Sequence, residues 1–540
     1  MERENAKPKI ATQRVAKSVS VRDAAQSLQV STATIRNWIK EGHLVVTTKG
    51  HVSVSSLRAF KNKHIGSTRL ISRANKLYKT AHPDIQGKAS EGMAGRRHEA
   101  SLSESHKNRE GIFYTPSEVI SDMLEGICAD DATFLDPCCG CGNFIIQALE
   151  SGIRPENLYG FDTDAEAVRI TIDRIEAITG YRSDKIVCAD FLERASEIGR
   201  TFDYIYTNPP WGRKIPKDDK KRFAALYGAG NSMDTCSLFY FAAKRLLVEN
   251  GTLGFLFPEA VLNIGVYEDM RRSLLTCSIL RIKDYGRPFK GVLTKAYSII
   301  VANSEPGADR QVYCSWEGHT HFRRQMSFLS VPKSILNVWA TEDEAELISA
   351  IREMPHVTLA GSALWGLGIV TGNNSEYCLR HPSVETVPVY RGRDITRSRL
   401  LGPHVFINKD FSRYQQVAPI SLYMAPEKII YRFISERLVF FCDNRQSFIL
   451  NSANLVVPDE SFPVRSGYLA AYFSCDFTNW MFSKIFNTNK ILRSDIETIP
   501  VFHEIYEEHA EFDESRLLDY LGIEKSGDTY SRSSRPGKDV

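Results

Sequence analysis

The sequence predicts an α/β protein built on a largely parallel sheet, preceded by a small helical module and followed by an α+β region. Three observations predict it. Between residues 111 and 303, short apolar runs alternate with amphipathic helical stretches, which implies parallel strands joined by crossover helices on both faces. The residues suited to chemistry stand at the carboxyl ends of those runs, where open α/β sheets bind ligands. A chain of 540 residues, 43% hydrophobic and 25% charged, has the composition and length for several buried cores. The net charge of +3 does not by itself mark a nucleic-acid binder, so any basic surface must be local. Eleven irregularly spaced cysteines read as reduced, mostly buried thiols of a cytoplasmic protein without disulfides. MERENAKPKIATQRVAKS lacks the apolar core of a signal peptide, and no run is long enough for a bilayer, so no membrane association is expected.

Taken in order, residues 1–65 come first. In KSVSVRDAAQSLQVSTATIRNWIKEGHLV, Ala24, Ala25 and Leu28 share one helical face, and Ile35, Trp38 and Ile39 another. Val30-Ser31 breaks the two, with Ser31 or Thr32 as cap. The following LVVTTKGHVSVSSLRAF alternates as a hairpin around Lys49-Gly50. The pattern resembles a winged helix-turn-helix of the kind that opens MerR-like regulators, which implies Thr34, Arg36, Asn37 and Lys40 facing DNA. The plain alternative is a small helical domain that only packs on a neighbour. Residues 66–110, with Arg69, Arg73, Lys76, Lys79, Arg96 and Arg97, read as a basic linker.

From 111 to 329 the expected strands are ATFLD, LYGFD, KIVCAD, DYIYT, TLGFLF, ILRIKDY and AYSIIVA, with the helix SLFYFAAKRLLVENG closed by Gly251. The first strand ends in DPCCGCGNF, where Gly140 and Gly142 permit a tight turn and a helix begins near Asn143. Cys138, Cys139 and Cys141 lack a second pair at zinc spacing, so no metal is expected and they read as small turn residues. The second strand ends in GFDTD. Asp162 suits a ribose hydroxyl, while Asp164 suits the cap of the next helix. At the third, Asp190 can accept from an adenine amino group with Phe191 against the ring. No phosphate-binding lysine follows, so a nucleoside fits better than ATP or NAD, and S-adenosylmethionine is the candidate. The fourth strand stops at Asn208-Pro209-Pro210-Trp211, where two prolines forbid helix or sheet and fix an amide beside an aromatic face. The Asn208 oxygen and the Pro209 carbonyl would accept both hydrogens of a conjugated amine, drawing its lone pair toward a methyl donor.

The ordered set GIFYTP, DPCCGCGNF, GFDTD, ADF and NPPW resembles the amino-methylating DNA methyltransferases of the gamma group. That resemblance implies a Rossmann-like S-adenosylmethionine-dependent fold, with Tyr114, Thr115, Asp136 and Gly140 around the methionine moiety and Asp162, Asp190 and Phe191 around the nucleoside. It implies Asn208, Pro209, Pro210 and Trp211 as the catalytic pocket, and Phe289 as the second ring sandwiching a flipped base. Asn in the first motif position implies adenine N6 rather than cytosine N4. The chain departs from the family in its sulfur-rich turn, which raises oxidation as a concern, and in Trp211 where Tyr or Phe is usual.

Residues 330–525 interleave Arg, Lys and Asn with aromatics and resemble a target-recognition region. Asn373, Asn374, Arg391, Arg393, Arg432, Arg445, Asn487, Asn489, Lys490 and Arg493 are candidates for double-stranded DNA, and Ile434, Leu438, Phe440 and Phe441 look like core. Residues 526–540 read as a disordered tail. The expectation is a monomeric, site-specific adenine-N6 DNA methyltransferase that protects DNA from a separate restriction endonuclease. RNA or protein-glutamine methylation, or a non-enzymatic DNA-binding regulator, are the competitors.

Overall fold

The computed structural model describes residues 18–27, 32–40, 43–48, 51–57, 60, 115–127, 131–289 and 292–533. The chain divides into two units, one of residues 1–101 with 176–180 and one of the remainder.

In the first unit, strands β1 (Ser18–Ser20), β2 (Val46–Thr48) and β3 (His51–Ser53) form a sheet of order β1-β3-β2, with helices Val21–Ser27 and Thr32–Lys40. Ala24, Ala25, Ile35 and Trp38 are buried as the periodicity requires, and Trp38 packs on Phe60 with ring centroids 4.7 Å apart. The hairpin is shorter than expected, because residues 54–57 turn helical. Leu28 and the basic run 66–110 lie outside the described residues.

In the second unit, each of the seven apolar runs is a strand. These are β4 (Phe134–Asp136), β5 (Leu158–Asp162), β6 (Ile186–Cys188), β7 (Phe202–Thr207), β8 (Leu247–Pro258), β9 (Ser278–Asp284) and β10 (Ala296–Ala302). With β11 (Gln311–Trp316) and β12 (His319–Arg324) they make one sheet, ordered β12-β11-β9-β10-β8-β7-β4-β5-β6. Strands β4 to β8 are parallel, whereas β10 runs antiparallel to both its neighbours. The chain goes outward from β4 through β5 to β6, then returns to place β7 on the other side of β4. That reversal leaves a crevice at the carboxyl ends of β4 and β7.

Gly251 does not close a helix. Helix Thr235–Lys244 ends earlier, Leu247 already pairs with Phe202, and the register shift between Phe202 and Tyr204, with Asn250 at φ 61°, makes Glu249-Asn250-Gly251 an irregularity within β8.

The carboxyl region holds a four-stranded sheet of order β13-β19-β16-β17, comprising β13 (Ala363–Leu367), β16 (Lys428–Arg432), β17 (Phe440–Asp443) and β19 (Ala453–Pro458). A smaller sheet joins β14 (Thr386–Tyr390), β15 (Val405–Asn408) and β18 (Phe448–Ile449). Leu438 and Phe440 are core and Phe441 is partly buried, but Ile434 is 68% exposed, because it follows β16 in a loop rather than continuing the strand. The expected tail is also ordered in part. β20 (Ile523–Ser526) and β21 (Thr529–Arg532) form a hairpin, held where Tyr530 packs edge-on against Phe477.

Gly254 of β8 stands opposite Tyr206 of β7, and an added Cβ would lie 2.1 Å from a Tyr206 ring carbon. Gly254→Ala is therefore expected to destabilise the sheet by about 1–3 kcal/mol, an overpacking cost readable as a lowered denaturation midpoint. An unchanged midpoint would show that the ring has room to move.

Candidate active site

A cavity of about 420 Å³ opens at the carboxyl ends of β4 to β7. The turn after β4 builds one wall. Gly142 takes φ 81° as the residue before helix Asn143–Glu150, a conformation only glycine adopts cheaply, and a Cβ there would strike Thr171 at 2.6 Å. Thr171 Oγ1 in turn donates to the Gly140 carbonyl at 2.9 Å. Asp162, at the end of β5, clamps the same turn. Its Oδ2 accepts from the Gly140 amide at 2.8 Å, and its Oδ1 from the Asp164 amide at 2.9 Å. Asp164 caps helix Ala165–Thr179, accepting from the Glu166 amide at 2.9 Å, as expected from the sequence.

Asp136 lies deepest. It is 1% exposed, and its Oδ1 accepts from Thr207 Oγ1 at 2.7 Å and from the Cys138 amide at 3.1 Å. Its Oδ2 is buried with no hydrogen-bond partner among the described residues. Loss of solvent pushes its pKa up to about 7, against the lowering effect of those two donors. Cys138 is more than a small turn residue. Its Sγ lies 2.9 Å from Thr207 Oγ1 and 3.2 Å from the Asn208 carbonyl oxygen. Burial, with Asp136 beside one thiol and Asp162 beside the other, drives Cys138 and Cys139 well above the ordinary thiol pKa.

The third strand end brings Asp190 and Phe191 to the cavity. Asp190 Oδ1 caps its helix at the Leu192 amide, 3.0 Å, while Oδ2 meets the Arg213 guanidinium at 3.2 Å. Phe191 is buried and stacks on Phe239, centroids 5.7 Å apart. Asn208 donates Nδ2 to Thr115 Oγ1 at 3.2 Å, which orients the amide with its oxygen on the opposite branch. Asn208 and Pro210 line the cavity, whereas Pro209, Trp211 and Phe289 do not. Trp211 and Phe289 instead meet each other edge-on at 5.3 Å and 85°, next to that wall.

Thr115, Asp136, Gly140, Asp162, Asp190, Phe191, Asn208 and Pro210 thus converge on one cavity, and Tyr114 lies outside the described residues. Sequence reasoning missed Thr207 and Arg213, and read Cys138 as a turn residue without its contacts to Thr207 and Asn208. Thr207 and Arg213 flank the Asn-Pro-Pro-Trp motif, and that adjacency was the available signal.

The expected DNA-facing residues divide. Arg36 and Lys40 are exposed on helix Thr32–Lys40, while the side chains of Thr34 and Asn37 lie outside the described set. Asn373 and Asn374 are occupied at a short helix start, accepting from the Ser375 amide and Thr371 Oγ1. Arg391 gives its backbone N–H to Asp394, and Arg393 is exposed. Arg432 points inward, donating Nε and Nη2 to the Ile395 carbonyl at 2.9 and 2.7 Å, so it is scaffold. Arg445 sits on an exposed turn. Two loops adjoin through Ser435 N–H to the Asn489 carbonyl and Ile491 N–H to the Phe433 carbonyl. They set Lys490 opposite the exposed Ile434, while Asn487 caps the end of helix Asp476–Phe486 and Arg493 pairs with Glu497 at 2.9 Å and lies over the Trp365 ring.

Residues 90–281 match the family described as N-6 DNA methylase, and residues 387–501 the TaqI-like C-terminal specificity domain. The type II methyltransferase M.VspI of Vibrio sp. (strain 343) is 42% identical over 395 residues, which cover 70% of this chain and 96% of that protein. The modification methylase CviBIII of Paramecium bursaria Chlorella virus NC1A is 28% identical over 40% of this chain and 55% of its own. The type IIL restriction-modification enzyme MmeI, solved with DNA, shares a TM-score of 0.49 and 11% identity over 75% of this chain and 70% of its own.

Asp136 carries a stability cost with a definite sign. Its folded pKa of about 7 stands above the ordinary 3.8, so between those values the folded state holds a proton that the unfolded state has lost. Stability from this group therefore falls as pH rises toward 7 and is lowest above it. Asp136→Asn is expected to melt at a higher temperature than the parent at pH 8, with the gap narrowing as pH falls to 4. A gap independent of pH would overturn the assignment.

Proposed function

We propose that this chain, which belongs to the N-6 DNA methylase family and is a site-specific DNA adenine methyltransferase of the restriction–modification type, takes its methyl group from S-adenosylmethionine. The observation that carries the reading is the convergence of the glycine turn, three carboxylates and the Asn208 amide on one cavity. The residues fit such a ligand. A buried carboxylate oxygen without a partner among the described residues, Asp136 Oδ2, suits an ammonium, and Asp162 retains lone pairs for ribose hydroxyls beside its contacts to the Gly140 and Asp164 amides. Asp190 and Phe191 suit the amino edge and face of an adenine, with Arg213 steadying Asp190. When bound, the cofactor supplies an electrophilic methyl on a sulfonium sulfur.

The rest of the chemistry is positioning. The Asn208 side-chain oxygen and the Pro209 carbonyl accept the two hydrogens of the target amine, which localises its lone pair for attack. No general base is assigned, since the nitrogen sheds its proton once the methyl has arrived. Trp211 and Phe289 supply two aromatic faces for an extruded base. Their edge-on contact, worth about 0.5–1.5 kcal/mol, is a modest interaction for the base to replace.

We read residues 111–329 as catalytic and 330–525 as recognising the site, with Asn487, Asn489, Lys490 and Arg493 as contact residues, a reading that the family matches over 90–281 and 387–501 support. Residues 1–65 are read as a winged helix-turn-helix whose Arg36 and Lys40 reach phosphate or base. The protein acts as a cytoplasmic monomer, and its restriction endonuclease is a separate chain that it need not touch.

Asn208→Ala is expected to abolish transfer to duplex DNA while cofactor affinity, by calorimetry, stays within about threefold. An affinity loss as large as the rate loss means the role is misassigned, and label entering only RNA or protein means the substrate is. Removing residues 1–65 should leave the methylated sequence unchanged if that unit regulates transcription, and slow methylation of duplex DNA if it aids grip.

A further inference from the structure

We propose that Thr207, the last residue of β7, is the positioning residue that aims Asp136 at the cofactor's ammonium, an inference that rests on the S-adenosylmethionine reading above. Thr207 is 0% exposed and touches no open part of the cavity, so it has no route to the ligand itself. Its hydroxyl lies 2.7 Å from Asp136 Oδ1, and Asp136, ionised as pairing with an ammonium requires, only accepts, so the single hydroxyl proton points there. The Cys138 amide also donates to Oδ1, at 3.1 Å. Both protein donors therefore hold the same oxygen, which fixes the carboxylate's rotation and leaves Oδ2, without a partner among the described residues, for a cation.

The geometry also explains why this hydroxyl belongs on β7. Thr207 and Asp136 close adjacent parallel strands, so their side chains meet only because the sheet order places β7 beside β4. The Thr207 lone pairs are then available to the Cys138 thiol at 2.9 Å, whose sulfur also lies 3.2 Å from the Asn208 carbonyl. The hydroxyl thus stands between the cofactor-binding turn and the corner that holds the target amine. A hydrogen bond to a charged group is worth more than a neutral one, and a buried carboxylate that loses a donor is a poorer anion as well as a looser one.

Calorimetry with two ligands tests the assignment on the full chain. S-adenosylmethionine carries the ammonium, whereas 5′-deoxy-5′-methylthioadenosine keeps the nucleoside and thioether but lacks it. Thr207→Val, which keeps the shape and removes the hydroxyl, is expected to weaken S-adenosylmethionine roughly tenfold or more. It should leave methylthioadenosine affinity unchanged. Thr207→Ser is expected to restore most of the lost affinity. Equal weakening of both ligands by the valine variant, or a serine variant as poor as valine, would reduce Thr207 to a packing role and overturn the proposal. Parent-like affinity for S-adenosylmethionine in Thr207→Val would overturn it too, with the cofactor reading intact. Failure of the parent chain to bind S-adenosylmethionine would remove both.

Discussion

Two parallel strands that are not consecutive in sequence lie side by side, with Phe134 and Leu135 of β4 in register with Tyr204 and Ile205 of β7. Everything chemical in this chain depends on that pairing. It sets Asp136 and Thr207 at neighbouring strand ends, 71 positions apart in sequence but joined by one short hydrogen bond. The turns that follow, one of glycine and cysteine and the other of two prolines, then face the same space. Gly254 contributes from the far side of β7, since its missing side chain lets the Tyr206 ring lie flat on β8 and the three strands pack closely. A parallel arrangement is needed for this, because only there do all carboxyl ends gather at one edge.

Much of this was legible in the sequence, for a physical reason. Buried parallel strands read as short apolar runs, and each of the seven runs from ATFLD to AYSIIVA became a strand. Loop chemistry at their ends was also legible, since Gly140, Asp162, Asp190 and Asn208 each sit where a strand stops and a turn must form. Lateral contacts were not. Nothing in the string TNPPWGR says that Thr207 faces Asp136 or that Arg213 pairs with Asp190, because both depend on which strands become neighbours. The carboxyl region was harder still. Arg432 and Arg445 look alike in sequence, yet one guanidinium is spent on the Ile395 carbonyl and the other lies on an exposed turn. Ile434 failed for the converse reason, an apolar residue placed in a loop rather than a strand.

The site also shows a conflict between folding and function. A carboxylate buried at the base of a cavity is a liability until a cation arrives, because desolvation disfavours its charge. Among the described residues the carboxylate is held by local donors, the Thr207 hydroxyl and the Cys138 amide, both on one oxygen, which leaves the other without a partner there. Asp190 is treated differently, with a guanidinium at 3.2 Å near the rim where water still screens it. The two acids therefore serve the same cavity from opposite electrostatic regimes.

The sulfur-rich turn gains a different meaning from its surroundings. Thiols attack oxidants and alkylating reagents as thiolates, and the thiolate fraction falls about tenfold for each unit by which pH lies below the pKa. Burial and two flanking carboxylates hold Cys138 and Cys139 firmly protonated. Although Cys138 and Cys139 both line the cavity, their thiols are therefore poorly disposed to react there as thiolates.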